Sequence, residues 1–454
     1  MTELYTTGGV SLRVWDTTGR MVFGPPDTSI QAEPAQPAEP VELVRRVIAG
    51  DTWRTGRVNT GRATPKTYFS EHNVYANAKA LQLTYGGNLP DGVTMDVAAS
   101  VQRQGDPSSR MVVAFGGATT ATLTGPAQLV TDDIPLTVSA GDRIEVLTYY
   151  GARSDGLAHP AAPGGWYGAE ILDGNQVATG APRIANSRAF DGGAGYRPAM
   201  PHKITGLADP ATISWLIGGD SITESGSPAR TQVGAYPSIA HQYTYSSAAA
   251  KSAGIPSANI GLWASSFPAG GRTGTYWSTI PSLEGFTHVT TAWGFNDLNL
   301  AQATGGTEVK VMASAVETWK WMLKENPALK IWQTTISPSS TSTDKWATLE
   351  GQTPVASAPL RRAFNAWVRD GAPLIAGAPA APGSSGALRA GQEGHPLAGY
   401  VEVADTVMSA RDSEIFRVDH GALTDDGGHP NETGHRLMRT PMDALVASWR
   451  QEES

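Results

Sequence analysis

Two textures of hydrophobic patterning divide the chain. From about Val41 to Ala208 the apolar residues come in short, often alternating runs: "KALQLTYGG", "GVTMDVAASVQ", "SRMVVAFGG", "TATLTG" and "IPLTVSAGDRIEVLTYYG". Gly, Pro, Asp and Asn separate them. Several short strands at such spacing predict an all-β sandwich or jelly-roll-like barrel. In "SAGDRIEVLTYY" the alternation puts Ile144, Val146 and Thr148 on one face of a strand and Glu145, Leu147 and Tyr149 on the other.

After Thr212 strand-like runs alternate with helical ones. "TISWLIGG", "NIGLWASS", "FTHVTTAWG", "LKIWQTTIS" and "YVEVADTVM" read as strands. "YPSIAHQYTYSSAAAKSAG", "EVKVMASAVETWKWMLKEN", "APLRRAFNAWVRDG" and "ETGHRLMRTPMDALVASWRQ" read as helices, the last interrupted near Pro441. In the second of these Val311, Ala315, Thr318 and Met322 share a face, with Val316, Trp319 and Leu323 beside it. Such alternation predicts a parallel sheet with helices on both faces. Ligands of these sheets sit beyond the carboxyl ends of the strands. The segment from Gly371 to Gly399, mostly small residues and Pro, breaks the rhythm and reads as a lid, an oligomer contact or a plain surface loop.

Upstream, "SLRVWDTTGRMVFGPP" predicts a hairpin, and the Pro-rich "IQAEPAQPAEP" a semi-rigid linker. The expected layout is a hairpin arm over 1–29, a linker over 30–40, an all-β domain over 41–207 and an α/β domain over 208–454. At about 100–200 residues per domain, 454 residues allow two or three such units.

Composition narrows the function classes. A net charge of −8 argues against a general nucleic-acid binder, which needs a basic face. The absence of cysteine excludes disulfides, thiolate metal sites and a cysteine nucleophile. No run of about 20 apolar residues spans a membrane. The start, "MTELYTTGGVSLRVWDTTGRMVFG", lacks a basic stretch followed by an apolar one, so no signal peptide is expected. The chain is then either cytoplasmic or carried outside as part of a particle.

Four features fall near the ends of predicted strands in the α/β half: "GGDSIT" with Ser221, "SSFPAGGRTG" with Gly270, Gly271 and Arg272, "WGFND" with Asn296, and "LTDDGGHPNETGH" with Asp426 and His429. Each alone is an ordinary turn. Together they hold what acyl transfer needs. A serine hydroxyl requires a base to take its proton. An imidazole is the usual base, and a carboxylate fixes its tautomer. The tetrahedral oxyanion requires rigid donors, which the Ser221 N–H, a glycine N–H and the Asn296 amide can supply. A metal site made of Asp426, His429 and His435 is the competing reading, but His435 falls in a predicted helix and no second acidic cluster accompanies it.

The four features resemble the four blocks of the SGNH hydrolases, the GDSL esterase/lipase family. The likeness is carried by Gly219-Asp220-Ser221, by Gly294-Phe295-Asn296-Asp297, and by Asp426-Gly427-Gly428-His429-Pro430-Asn431 with Gly434 following. It covers roughly Ala208 to Arg450. Ile222 stands where the family name has Leu. Gly271-Arg272-Thr273 fits the second block best, with Gly270 as runner-up, and the spacing to His429 favours Asp426 over Asp425. The resemblance implies a flavodoxin-like three-layer α/β/α domain and a serine esterase without cofactor. Ser221 would be the nucleophile, His429 the base and Asp426 its partner, with Ser221 N–H, Gly271 and Asn296 as the oxyanion hole. Asp220 reads as structural.

The β-rich half is similar to accessory sandwiches that precede some of these esterase domains. Trp293, Phe295 and Trp277 lie near the expected active-site loops and are candidates for substrate contact. The expected substrate is an acylated carbohydrate or small ester with a short acyl group; a lipid ester is the nearest rival. The alternative from another class is a structural or adhesion component of a phage tail or similar particle, held or assembled through residues 1–40.

Overall fold

The computed structural model describes residues 14–15, 21–22, 41–50, 52–53, 57–58, 65–86, 89, 91–125, 127–156, 160–161, 177–179, 201–224, 244–262, 264–268 and 282–452. The chain divides into two compact units, Met1–Glu42 and Leu43–Ser454. Within the first, Val14–Trp15 pairs antiparallel with Met21–Val22, as a hairpin there requires. The expected linker lies outside the described residues.

The second unit contains both textures. Two antiparallel sheets occupy the β-rich half. One runs, in spatial order, Ala121–Thr124, Thr94–Arg103, Arg143–Tyr150, Lys66–Asn73 and Val177–Thr179, with Met111–Val112 paired to Thr94–Arg103. The other runs Gln128–Val130, Ala78–Gly86, Lys203–Ala208 and Val44–Val47. Leu81, Leu83 and Tyr85 of the second share one buried cluster with Val97, Val101, Val146 and Tyr150 of the first. Tyr85 and Tyr150 meet edge to face, centroids 6.3 Å apart. The expected alternation in Arg143–Tyr150 reads differently in place. This strand lies between two others, and Glu145 and Leu147 on its second face are buried as well. Glu145 accepts a hydrogen bond from Gln102 there.

The second sheet type is parallel: Gly399–Val401, Lys330–Thr334, His288–Ala292, Trp215–Gly219, Ser257–Asn259 and Thr52–Trp53. Counting from Trp215–Gly219, the first five strands have the order 2-1-3-4-5 read from the Ser257–Asn259 side. In that order the crevice opens between the first and third strands. The sixth strand comes from residues expected in the all-β domain, so the 41–207 segment builds part of the sheet of the α/β half.

Trp215–Gly219 is buried throughout, the signature of a strand covered on both faces. Helices Tyr245–Ser252 and Glu432–Glu452 pack together, as do Phe295–Thr304, Glu308–Glu325 and Ala358–Arg369. Glu308–Glu325 buries Val311, Met312, Ala315, Val316, Thr318, Trp319 and Met322, one stripe of the 3.6-residue period. Glu432–Glu452 runs unbroken through Pro441, contrary to the sequence reading. Burial of Met438, Met442, Val446 and Trp449 along one face outweighs the backbone bond a proline removes. "NIGLWASS" is also not a strand beyond Asn259. The Asn259 carboxamide accepts the Gly261 N–H at 2.8 Å and turns the chain.

The segment from Gly371 to Gly399 is a helix-to-strand connection. It leaves Ala358–Arg369 through Gly371 at φ +78° and enters Gly399–Val401 at that strand's amino end. It therefore lies at the sheet edge opposite the carboxyl ends, which removes the lid reading. Leu374–Ile375 pairs with Ala378–Pro379, and Arg389 ties the connection to Asp370 at 3.1 Å.

The two halves are joined around the entry to strand His288–Ala292. Lys203 donates to the carbonyls of Ser282 and Glu284, each at 2.8 Å, and Val47 N–H donates to Gly285 O at 3.0 Å. Burial lowers the Lys203 ammonium to about 8, against a smaller opposing pull from Glu284. The unfolded chain thus holds this proton more tightly than the folded one between about pH 8 and the ordinary lysine range. Stability should rise with pH across that window. Buried Tyr68, Tyr85 and Tyr150, all raised by burial, turn the trend downward once unfolded tyrosines ionise near pH 10. Denaturant unfolding of wild type and Lys203→Met at pH 8 and pH 10 should show wild type gaining relative to the variant; a constant difference would refute the assignment.

Candidate active site

The site gathers at the carboxyl ends of Trp215–Gly219 and His288–Ala292, where the strand order reverses. Ser221 opens the short helix Ser221–Glu224 directly after the first of these strands. The glycines before it are sterically required. A Cβ on Gly218 would lie 2.5 Å from the Trp293 ring, and one on Gly219 1.9 Å from Thr223 Oγ1.

The structure brings Ser221, His429 and Asp426 together. Ser221 Oγ lies 2.8 Å from His429 Nε2, and His429 Nδ1 lies 2.7 Å from Asp426 Oδ2. The other Asp426 oxygen accepts the backbone N–H groups of His429 at 2.8 Å and Gly428 at 2.9 Å. Burial by itself would raise this carboxyl. The hydrogen bond and charge of His429, with the two N–H groups, outweigh it and hold Asp426 at about 2. An ionised carboxylate only accepts, so Nδ1 carries the imidazole proton and Nε2 accepts from the Ser221 hydroxyl. A hydroxyl, imidazole and carboxylate linked this way can make an alkoxide nucleophile at neutral pH.

The loop that carries His429 is fixed from below. Thr424 Oγ1 donates to the His429 carbonyl at 2.8 Å, and Ser340 N–H donates to Gly427 O at 2.9 Å. Gly427 sits at φ +82°, and a Cβ there would fall 1.8 Å from the Ser340 carbonyl oxygen. A Cβ on Gly434 would meet the Leu423 carbonyl at 2.8 Å, which gives that glycine a packing reason.

Asn296 stands in the first turn of Phe295–Thr304, a helix the hydrophobic pattern did not reveal. Its Nδ2 donates to the Ser265 carbonyl at 2.9 Å. Asp297, which carried no assigned role, accepts the Phe267 N–H through both oxygens at 3.1 and 3.2 Å. Ser265 Oγ donates to Gly219 O and accepts the Trp293 indole N–H. Ser265 and Asp297 thereby tie the ends of the first and third strands to the start of the second block. No spacing rule points to either residue. Gly270, Gly271 and Trp277 lie outside the described residues.

Trp293 is fully buried, packed over Gly218 with its N–H satisfied internally. That corrects the expectation of substrate contact: the ring packs in the core and presents no face outward. Phe295 is buried too, its ring against Gly428 and 5.4 Å from the Arg361 guanidinium carbon. It supports the His429 loop. Asp220 is fully buried, with Oδ1 accepting the Ile222 N–H at 3.0 Å. Burial, opposed by that bond and by His429, raises its carboxyl to about 7. His435, considered above as a metal ligand, stacks on Tyr245 at 5.9 Å. Among the described residues no three acidic, His or Cys side chains are gathered as for a metal ion, and no helix is long and apolar enough to cross a membrane.

Fold and site thus define an α/β protein with a serine–histidine–aspartate constellation at the topological switch point of its parallel sheet. No protein-family model matches the sequence, and no curated protein does. Solved structures to which it is similar include a family two carbohydrate esterase from Clostridium thermocellum in complex with cellohexaose (14% identity, TM-score 0.37, covering 86% of this chain and 96% of that one). A Desulfitobacterium hafniense protein assigned to the G-D-S-L lipolytic family is another (13%, 0.33, 51% and 98%). So is a family three carbohydrate esterase from Talaromyces cellulolyticus (14%, 0.31, 53% and 99%). What the site does is read below from its own atoms.

Gly427→Ala tests how tightly the loop is set. The clash with Ser340 should displace His429 by a fraction of an ångström or more and slow phosphonylation of Ser221 by a fluorophosphonate, which loses fluoride, by about 10²-fold, with the fold retained by circular dichroism. Labelling at the wild-type rate would show that the loop adapts.

Proposed function

We propose that this chain is a serine esterase of the SGNH type. The observation that carries the reading is the hydrogen-bonded line from Ser221 through His429 to Asp426, with Oγ–Nε2 at 2.8 Å and Nδ1–Oδ2 at 2.7 Å. Ser221 Oγ attacks the ester carbonyl as His429 Nε2 takes its proton. The imidazolium that forms is stabilised by Asp426. The sequence resemblance assigns the tetrahedral oxyanion to the Ser221 N–H, to Asn296 Nδ2 and to a glycine N–H of the second block, Gly271 or its neighbour Gly270. Collapse expels the alcohol, which takes the proton from His429 and leaves an acyl-enzyme. Water, activated by the same imidazole, then releases the acid.

The finer reading makes the acyl group acetyl or another short chain and the alcohol a carbohydrate. It draws on the sequence resemblance to esterases, with the lipid ester as rival. The antiparallel sheets of the β-rich half are read as an accessory sandwich to the 208–454 catalytic portion. The particle-component alternative rests on residues 1–40, which lie outside the described residues apart from the short hairpin strands.

The test is hydrolysis of 4-nitrophenyl acetate. Ser221→Ala and His429→Ala should each lower kcat by about 10³-fold or more, and Asn296→Ala by about 10²–10³-fold. Equal rates in wild type, Ser221→Ala and His429→Ala would overturn the assignment. An acetylated sugar compared with a long-chain acyl ester then separates the two substrate classes.

A further inference from the structure

The connection from strand Lys330–Thr334 to helix Ala358–Arg369 runs strand-to-helix, so it lies at the carboxyl edge of the sheet, on the same side as Ser221. It carries a short antiparallel pair, Ser340–Ser342 with Gln352–Pro354. Between these strands two consecutive non-glycine residues, Lys345 at φ +60° and Trp346 at φ +59°, adopt the left-handed conformation. Bulky residues avoid that region, and such strain concentrates at sites of function. The turn is held there in detail. Trp346 N–H donates to Ser342 Oγ at 2.7 Å, and Asp344 accepts the N–H groups of Ala347 at 3.2 Å and Thr348 at 3.0 Å.

The consequence is where the indole goes. Its Nε1–H donates to Ser340 Oγ at 3.1 Å, and Ser340 Oγ in turn donates to Gln352 Oε1 at 3.1 Å. Its benzo edge lies against Gly427, so close that a Cβ on that glycine would fall 2.7 Å from Cζ2. The ring packs on the core cluster yet stays partly exposed. An aromatic ring is thus wedged beside the loop that carries His429, two residues from it.

We propose that Trp346 is a specificity-determining residue that flanks the alcohol half of the ester and favours a ring-bearing alcohol such as a sugar. The inference rests on the esterase reading above. In that chemistry His429 gives its proton to the departing alcohol oxygen, so the alcohol lies on the His429 side, whereas the oxyanion lies on the Asn296 side. Trp346 borders the former. A flat indole, fixed by its own N–H bond and unable to swing away, offers a rigid surface to the C–H face of a pyranose at little entropic cost.

The measurement is a ratio: kcat/KM for release of the first acetate from peracetylated xylobiose, divided by that for methyl acetate. Both esters form the same acetyl-enzyme, so the ratio reports the alcohol half alone. Trp346→Ala should lower the ratio about tenfold, and Trp346→Phe, which keeps a flat ring, should stay within about threefold of wild type. Should the alanine variant fail to fold, Trp346→Leu, which fills similar space without a flat face, carries the same expectation. A ratio within about twofold of wild type in the alanine or leucine variant overturns the proposal. That includes the case in which both esters slow together because the His429 loop is disturbed. A wild type inert toward both esters would overturn the esterase reading beneath it, whereas an active wild type with an unmoved ratio removes only the role of Trp346.

Discussion

One hydrogen bond, from the Ser221 hydroxyl to His429, closes a span of 208 residues, and the site depends on it. Two side chains so far apart in sequence meet at 2.8 Å only if the strand and the loop that carry them are held in place. The parallel sheet does most of this. It places the end of Trp215–Gly219 beside the end of His288–Ala292, and the last loop before Glu432–Glu452 closes over both. Loop-closure entropy on this scale is overcome by the sheet's continuous buried core, from Trp215 and Leu216 through Val289 and Ile331 to Trp449. The site adds short-range devices: the Ser340 and Thr424 bonds under the His429 loop, and the Asp297 and Ser265 bonds beneath Asn296.

Electrostatics then divide the work between two aspartates on either side of this bond. Asp426 and Asp220 are both inside the protein. Asp426 faces an imidazole and two N–H groups and stays ionised down to about pH 2. Asp220 has the Ile222 N–H on one oxygen and, among the described residues, no hydrogen-bond partner on the other, and burial lifts it to about 7. The same functional group is thus held ionised in one place and pushed upward by burial in the other, immediately before the nucleophile. Asp426 thus holds its charge on the far side of the imidazole, where it orients the ring.

Much of this architecture was legible in the sequence because it rests on local pattern. The amphipathic stripe of Glu308–Glu325 and the apolar run ending at Gly218-Gly219 each state a burial requirement in their own residues. So does the order of four small motifs, each at a strand end. Where the pattern misled, a nonlocal force had intervened. Pro441 was absorbed because a whole helix face was buried. The strand at "NIGLWASS" stopped early because Asn259 bonded forward. Trp293 and Phe295 sit where substrate was expected, but the core claimed them.

By itself, the sequence determined the chemistry on offer: a serine between glycines and a helix start, an asparagine after a strand, and a histidine three residues past an aspartate. It also determined that a parallel sheet would be built, since that follows from periodicity. Only the tertiary structure decided which of these groups meet, because hydrogen-bond distance is a property of packing and not of spacing. It decided that residues 52–53 join the sheet of the far half, that the Gly371–Gly399 connection faces away from the site, and that Trp346 lies against Gly427. Contacts between residues so distant along the chain carry no local signature, since each partner is held by a different set of neighbours.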